Sequence, residues 1–358
     1  MSKSICTIIA KNYIAFARVL CESFLEHHPD GKCYVLIIDE FDGYIDPERE
    51  DFEVVRTAEL NIPKLAEFCY KYNITELATA FKPYLLKHLF DTKCIGKILY
   101  LDPDILVTNS LGNLYEALES TDIILTPHLD KDYPDDDMFP NDSHIMKSGI
   151  YNLGFIGLRN CENVNNFLNW WQHKLYDKCV IDHSNGYFVD QKFIDLATVL
   201  FPNITAIHDT GYNVTYWNIH SRAIHKKNNN WMCNDGLLYF YHFSNYKPDK
   251  PSELSGHQTR FDLKNIPQLN DLFKLYTDLL KKKDFDMAKK WPYSYAYYSN
   301  GMAIDEIDRV KYREMQSLYA IDNPFDWKSI PFRTKKEMFV RKVKRKLRQI
   351  VKDIKNKL

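Results

Sequence analysis

Asp102-Pro103-Asp104 is the sharpest chemical feature of the chain. Two carboxylates one residue apart suit a hard divalent cation, and such a cation bridges phosphate oxygens. The triplet follows the apolar run Ile98-Leu99-Tyr100-Leu101 and precedes Ile105-Leu106-Val107. Ligands of open α/β sheets bind beyond the carboxyl ends of strands. Asp-Pro-Asp is also good turn chemistry, but charges set between two buried runs need a counter-ion or solvent. The second feature is His242-Phe-Ser-Asn-Tyr-Lys247-Pro248, directly after Leu238-Tyr239-Phe240-Tyr241. A neutral imidazole at a strand end completes a metal site, and a lysine five residues on reaches a diphosphate. The competing reading of a lone histidine is structural.

The elements that must hold these residues alternate. Ser4–Ala10 and Cys33–Asp39 read as buried strands, Ile95–Leu101 as a third and Asp122–Thr126 as a fourth. Between them, Asn12 caps a helix that uses Phe16, Val19, Leu20 and Phe24 and stops near Pro29. Pro63 suits the first turn of a helix through Tyr72, and Thr75 caps another from Glu76 to about Phe90 that Pro83 must kink or restart. This order predicts a mostly parallel sheet flanked by helices, an α/β fold. Residues 128–145 read as a long acidic loop, a lid or a mobile segment. Gly149–Leu158 is strand-like, Val164–Tyr176 and Asp190–Leu200 are helical, and Leu237–Tyr241 is an apolar strand leading into His242. Past Pro267 the signals are helical. The expected organisation is a catalytic domain over residues 1–265, a helical extension over 266–332 and a tail over 333–358.

The 358 residues are 45% apolar and 27% charged, which excludes disordered, collagenous and low-complexity classes. No run approaches the roughly 20 apolar residues of a membrane-spanning helix, and no signal peptide is visible at MSKSICTIIAKN. The net charge of −1 hides an asymmetry: residues 333–358 hold twelve Lys/Arg against Glu337 and Asp353. Eight cysteines show no CxxC pair and no metal-ligand spacing, so reduced thiols are expected. The Asn-x-Ser/Thr matches at Asn73, Asn141, Asn203 and Asn213 are then chance.

Six segments, in order, resemble glycosyltransferase family 8, which includes bacterial lipopolysaccharide galactosyltransferases and glycogenin. YLDPDILV (100–107) is similar to the family's Tyr-Leu-Asp-x-Asp-x-Leu-Val core, and YHFSNYKP (241–248) to its His-Tyr-x-Gly-x-x-Lys-Pro-Trp ending. Tyr151-Asn152-Leu153-Gly154-Phe155, Asp190-Gln191-Lys192, Thr79-Ala80-Phe81-Lys82 and Ile8-Ile9-Ala10-Lys11-Asn12-Tyr13 resemble four further segments. The resemblance spans roughly residues 5–250. It implies a GT-A fold with Asp102, Asp104 and His242 binding Mn²⁺ or Mg²⁺ on a donor diphosphate. It implies that Lys82 and Lys247 neutralise phosphate charge and that Asn152, Asp190 and Gln191 surround the transferred sugar. It implies that Ala10, Lys11 and Asn12 contact uracil and ribose, and that anomeric configuration is retained. The chain departs from the pattern at Asp249, where Trp is usual, at Asn245 for Gly, at Lys192 for Asp and at Lys82 for Arg. These changes lie near the transferred sugar and acceptor, point to a distinct subfamily and leave the donor sugar open.

The chemistry also follows from the residues. A leaving diphosphate needs its charge neutralised, which a metal and two lysines supply. The anomeric centre becomes oxocarbenium-like, so a nearby carboxylate or amide oxygen helps. Asp190 or Gln191 fills that place, although Asp190 reads equally as a helix N-cap and Asn152 as a polar bulge residue within a strand. The stretch Asp209–Asn218, with Tyr212, Asn213, Tyr216 and Trp217, has the mix that sugar pockets favour, or is core packing. His128, Asp130 and His144 meet the acceptor or are solvated.

In the tail, Phe339, Val343, Leu347, Ile350, Ile354 and Leu358 fall on one helical face among lysines and arginines. That describes a helix lying on an anionic membrane surface; the alternative is docking on the acidic body. Nucleic acid is excluded as a partner, because the tail lacks interleaved aromatics and the body is acidic. The expectation is a cytoplasmic glycosyltransferase on the inner face of the cell membrane. It would move sugar from a UDP-sugar to a glycan or lipid-linked acceptor in bacterial surface polysaccharide or lipopolysaccharide assembly. Its rivals are a nucleotidyltransferase that forms nucleotide-sugars, which needs a Gly-rich loop where Ala10-Lys11-Asn12-Tyr13 stands, and an inactive sugar- or membrane-binding scaffold.

Overall fold

Consecutive apolar residues, rather than alternating ones, build strands buried on both faces. Ser4–Ile9, apolar but for Ser4 and Thr7, is buried throughout as β1. The computed structural model describes residues 2–315 and 323–329. In chain order, α1 (Ile14–His27) follows β1, then β2 (Lys32–Ile37), β3 (Glu53–Arg56), α2 (Leu65–Lys71), α3 (Ile74–Ala80) and α4 (Lys82–Thr92). Next come β4 (Lys97–Leu101), β5 (Ile105–Val107), α5 (Gly112–Ala117), β6 (Ile123–Pro127), α6 (Asp142–Ser148), β7 (Tyr151–Arg159) and α7 (Glu162–Lys178). The ribbon β8 (Ile181–Asp182) and β9 (Tyr187–Phe188) leads to α8 (Gln191–Leu200) and β10 (Ile204–Ala206). The remainder is β11 (Ile224–Lys227), β12 (Asn230–Cys233), β13 (Gly236–Leu237), β14 (Phe240–His242), α9 (Asn270–Lys282), α10 (Phe285–Ala288) and α11 (Glu306–Met315).

The central sheet has seven strands in the order β10-β6-β7-β4-β1-β2-β3. Every pairing is parallel except the two made by β7. The α/β class and the mostly parallel sheet expected from the sequence are therefore observed. The reversal of β7 matters for function. It brings the start of that strand to the same sheet edge as the end of β4, where the Asp102 amide donates to the Gly154 carbonyl at 2.8 Å. Beside this edge, β5 and β14 pair antiparallel and set His242 opposite Ile105. A helix face of Ala15, Phe16 and Val19 packs with Leu272, Phe273, Tyr276 and Leu280 of α9, a purely apolar contact.

Several expectations shift in detail. The helix expected from Glu76 to Phe90 is two helices, because Pro83 sits in the first turn of α4 and starts it anew. The N-cap of α3 is Asn73 rather than the expected Thr75: the Asn73 carboxamide oxygen accepts from the amides of Thr75 and Glu76, while the Glu76 carboxylate accepts from the Asn73 amide. The acidic loop is shorter than 128–145, since α6 begins at Asp142. The run Leu237–Tyr241 divides between β13 and β14, because Leu238 and Tyr239 give their carbonyls to Thr108 and Asn109.

The chain forms two compact units. Among the described residues, one comprises 2–63 and 72–294, the other 64–71, 295–315 and 323–329. Residues 266–294, which the sequence reading attached to the C-terminal extension, belong to the first unit. The second holds Tyr70 against the rings of Tyr298, Tyr312 and Phe325, with the Arg309 guanidinium donating to the Tyr70 carbonyl at 2.7 Å. All eight cysteines are free thiols. Asn213 is 1% exposed, so its Asn-x-Thr match is not accessible to glycosylation. No helix among the described residues is long and apolar enough to cross a membrane. The tail over 333–358 lies outside the described residues.

Candidate functional site

The site forms where the ends of β4 and β14 meet the start of β7. Chain direction places Asp102 just past β4, and a single proline separates it from Asp104, which enters β5. The β5–β14 pairing then carries His242 to both carboxylates. His242 Nε2 lies 3.2 Å from Asp104 and 3.8 Å from Asp102. The three side chains offer ligand atoms all within 4.8 Å of one another. Burial opposes charge on the imidazole, but the Asp104 and Asp102 carboxylates outweigh it and hold its pKa above the ordinary histidine value. Two carboxylates and one imidazole on a half-buried edge form a donor set that fits a hard or borderline divalent cation.

Behind the carboxylates sits an ion pair that the sequence did not couple. Lys82, 1% exposed, reaches from the start of α4 to Asp190 at 2.7 Å and to Asp102 at 4.0 Å, and donates to the Leu153 carbonyl at 2.7 Å. Burial works against this ammonium, but Asp190 and then Asp102 outweigh it and raise its pKa. The Asp190 carboxyl, although burial raises its pKa, is the anionic half of the pair at that distance. Asp190 is the residue before α8, yet its side chain caps nothing, so the N-cap reading fails. The Tyr100 hydroxyl donates to Asp102 at 2.8 Å and its ring lies 4.4 Å under the Lys82 ammonium.

On the β7 side, Asn152 is buried and lies between Tyr151 and Ile156, where the pairing with β6 shifts register, so it is a bulge residue within the strand as well as a central polar group. Its amide donates to Gln191 at 3.2 Å, and its oxygen accepts from the Gly154 amide at 3.0 Å. Gln191 accepts from the Leu153 amide at 3.0 Å and donates to the Ser148 carbonyl at 2.9 Å. Asp102, Asp104, Lys82, Asn152, Asp190, Gln191 and His242 thus share one edge. Ala10, Lys11 and Asn12 follow β1, and their contacts form a second cluster. There the buried Lys11 ammonium spans Asp39 at 3.3 Å, Asp42 at 2.6 Å, the Glu40 carbonyl at 3.0 Å and Ser294 at 2.8 Å. The Asn12 side-chain oxygen is buried and, among the described residues, has no hydrogen-bond partner. Lys247 is exposed, and its charge is felt with that of Asp104 at His257.

Asn213, one of the amides of the Asp209–Asn218 stretch, carries no role in the sequence that ties it to His242, and its position depends on the bridge between Val214 and Tyr241. Its carboxamide accepts from His242 Nδ1 at 3.1 Å and donates to Asn152 at 3.0 Å and Thr126 at 2.8 Å. Of the rings in that stretch, Tyr212 and Trp217 are buried, and Trp217 stands edge-on to His242 with centroids 5.4 Å apart. His128 is buried beside Asn152, and Asp130 pairs with Arg222 at 3.4 Å.

No protein-family profile matches the chain. YfnF of Bacillus subtilis strain 168, described as an uncharacterized protein, is 25% identical over 275 residues, 75% of this chain and 90% of YfnF. YfnD of the same organism, also described as uncharacterized, is 22% identical over 67% of this chain and 76% of its own length. Among solved structures, the glycosyltransferase GlyE of Streptococcus pneumoniae is 16% identical, with 83% of this chain and 67% of that chain covered and a TM-score of 0.46. The galactosyltransferase LgtC, in complex with donor and acceptor sugar analogs, is 16% identical, with coverage of 78% and 95% and a TM-score of 0.46. At these TM-scores the likeness assigns no activity.

Proposed function

We propose that the protein is a metal-dependent glycosyltransferase that moves a sugar from a UDP-sugar to a glycan or lipid-linked acceptor. The observation that carries this reading is the convergence of Asp102, Asp104 and His242 on one sheet edge, with Lys82 and Asp190 directly behind. Asp102, Asp104 and His242 hold the cation, Mn²⁺ or Mg²⁺, which when bound supplies positive charge to the donor diphosphate. Lys247, exposed at the rim, adds a second cation for the phosphates. In the transfer, the bond from the anomeric carbon to the phosphate oxygen breaks and its electron pair stays on UDP. The acceptor oxygen bonds that carbon and gives up its proton to the departing UDP phosphate oxygen. Asn152 and Gln191 orient the sugar, and Asp190, anchored by Lys82, offers negative charge near the oxocarbenium-like centre.

Retention of configuration, the role of Ala10, Lys11 and Asn12 at the nucleoside, and bacterial surface polysaccharide or lipopolysaccharide assembly belong to the same reading and rest on the resemblance of the six segments. So does peripheral attachment to an anionic membrane through the cationic stripe of residues 333–358. The test is a donor screen across UDP- and GDP-sugars with mass-spectrometric detection of released nucleotide, with and without Mn²⁺. Metal-dependent UDP release from one UDP-sugar supports the reading. Nucleotide-sugar synthesis from a sugar phosphate and UTP favours the nucleotidyltransferase instead.

A further inference from the structure

We infer that Asn213 is the positioning residue that fixes the tautomer of His242 and ties the metal-binding imidazole to Asn152, the residue facing the sugar. The inference rests on the cation-site reading of Asp102, Asp104 and His242. Amide orientations and imidazole protons are set by their partners, and here two backbone groups settle the whole chain of bonds. The Gly154 amide can only donate, so the Asn152 atom it meets at 3.0 Å is the carbonyl oxygen. That oxygen also receives the Asn213 bond at 3.0 Å, so Asn213 presents its amide nitrogen there. The Leu153 amide likewise fixes the Gln191 oxygen, and Asn152 gives its nitrogen to that oxygen.

With its nitrogen committed to Asn152 and to Thr126 at 2.8 Å, Asn213 has only its oxygen left for His242 Nδ1 at 3.1 Å. Nδ1 must therefore carry the proton. The lone pair of the neutral ring then sits on Nε2, the nitrogen facing Asp102 and Asp104. A metal-ligating histidine is held this way by an outer partner in most sites, and loss of the partner weakens metal binding by about 10–100-fold. The position is built for the task. Asn213 is 1% exposed, and its own carbonyl accepts from the Asn218 amide at 3.0 Å. Its backbone is left-handed at φ 52°, a conformation that asparagine tolerates and most residues do not.

Two variants test the assignment, both as full-length protein. Asn213→Gly suits the left-handed backbone and removes the carboxamide. Asn213→Asp keeps an acceptor for Nδ1 and loses the donor for Asn152. The readouts are the ¹⁵N resonances of His242 in metal-free protein at alkaline pH, where the ring is neutral, and calorimetric titration with Mn²⁺. The wild type is expected to show the Nδ1–H form, and Asn213→Asp to keep it with Mn²⁺ affinity within about tenfold. Asn213→Gly is expected to lose the single tautomer and about 10–100-fold in Mn²⁺ affinity. An Nε2–H ring in the wild type, or a glycine variant with unchanged tautomer and affinity, overturns the assignment. If the glycine variant does not fold, Asn213→Asp decides: a retained Nδ1–H supports it and a shift to Nε2–H refutes it. A wild type that binds no Mn²⁺ sinks the cation site instead, and the metal-free tautomer still decides the role of Asn213.

Discussion

Lys82 and Asp190 are each nearly free of solvent, and among the described residues neither has another full charge as close as the 2.7 Å between them. Removing one partner of such a pair leaves the other buried and uncompensated, which costs about 3–5 kcal/mol. Lys82→Met should therefore destabilise the protein by about that amount in chemical denaturation. The double variant Lys82→Met/Asp190→Leu should recover much of the loss, because it removes both desolvated charges at once. Additive losses would show that the two residues are not coupled. Neither variant should transfer sugar, since the proposed function sets Asp190 beside the anomeric centre with Lys82 as its anchor. Asp102, Asp104 and His242 were legible in the sequence because they follow recognisable strands, whereas Lys82 stood out only through the resemblance of Thr79–Lys82 to a family segment. The Lys82–Asp190 pair was not, because it joins α4 to the start of α8 across more than a hundred residues with no periodic signal to mark it.

At the scale of elements, the reversed strand β7 is what makes the site. Gly154 lies where β7 passes beneath His242: a Cβ there would stand 2.4 Å from His242 Cε1 and 2.8 Å from both His242 Nδ1 and the Asn152 side-chain oxygen. Gly154→Ala should displace the imidazole, costing about 1–3 kcal/mol of stability from overpacking. Mn²⁺ affinity should fall with it, while circular dichroism stays that of the wild type. An alanine variant with wild-type Mn²⁺ affinity would show that the ring has room to move. The sequence announced β1, β2, β4 and β6 through long apolar runs. It said less of β3 and β10, which are four and three residues long, too short for a period to register. Strand direction was also beyond it, because an apolar strand buried on both faces reads the same in either orientation. The link between Asn213 and His242 was illegible for a related reason: its contacts are made across a loop held to β14 by the Val214–Tyr241 bridge.

At the scale of the whole molecule, pH and metal are the variables that report on the fold and the site together. Burial pushes the pKa of His128 down to about 4 from an ordinary value of 6.5. The folded state thus resists a proton that the unfolded chain accepts, so stability is full above about pH 6.5 and falls as the pH drops towards 4. By linkage the loss from this residue reaches about 3 kcal/mol. His128→Gln should flatten the decline of melting temperature across that window, and an unchanged slope would assign the acid sensitivity elsewhere. The central claim is that the Asp102–Asp104–His242 edge binds a nucleoside diphosphate through a divalent cation. Calorimetric titration of UDP into the full-length protein tests it most directly, with and without Mn²⁺, in the wild type and in Asp104→Ala. The account predicts that wild-type binding is at least tenfold tighter with Mn²⁺, the scale of a single charge-assisted contact of about 1.5–3 kcal/mol, and that Asp104→Ala, still folded, loses this enhancement. UDP binding that ignores Mn²⁺ in the wild type, or an enhancement that survives in Asp104→Ala, would contradict it.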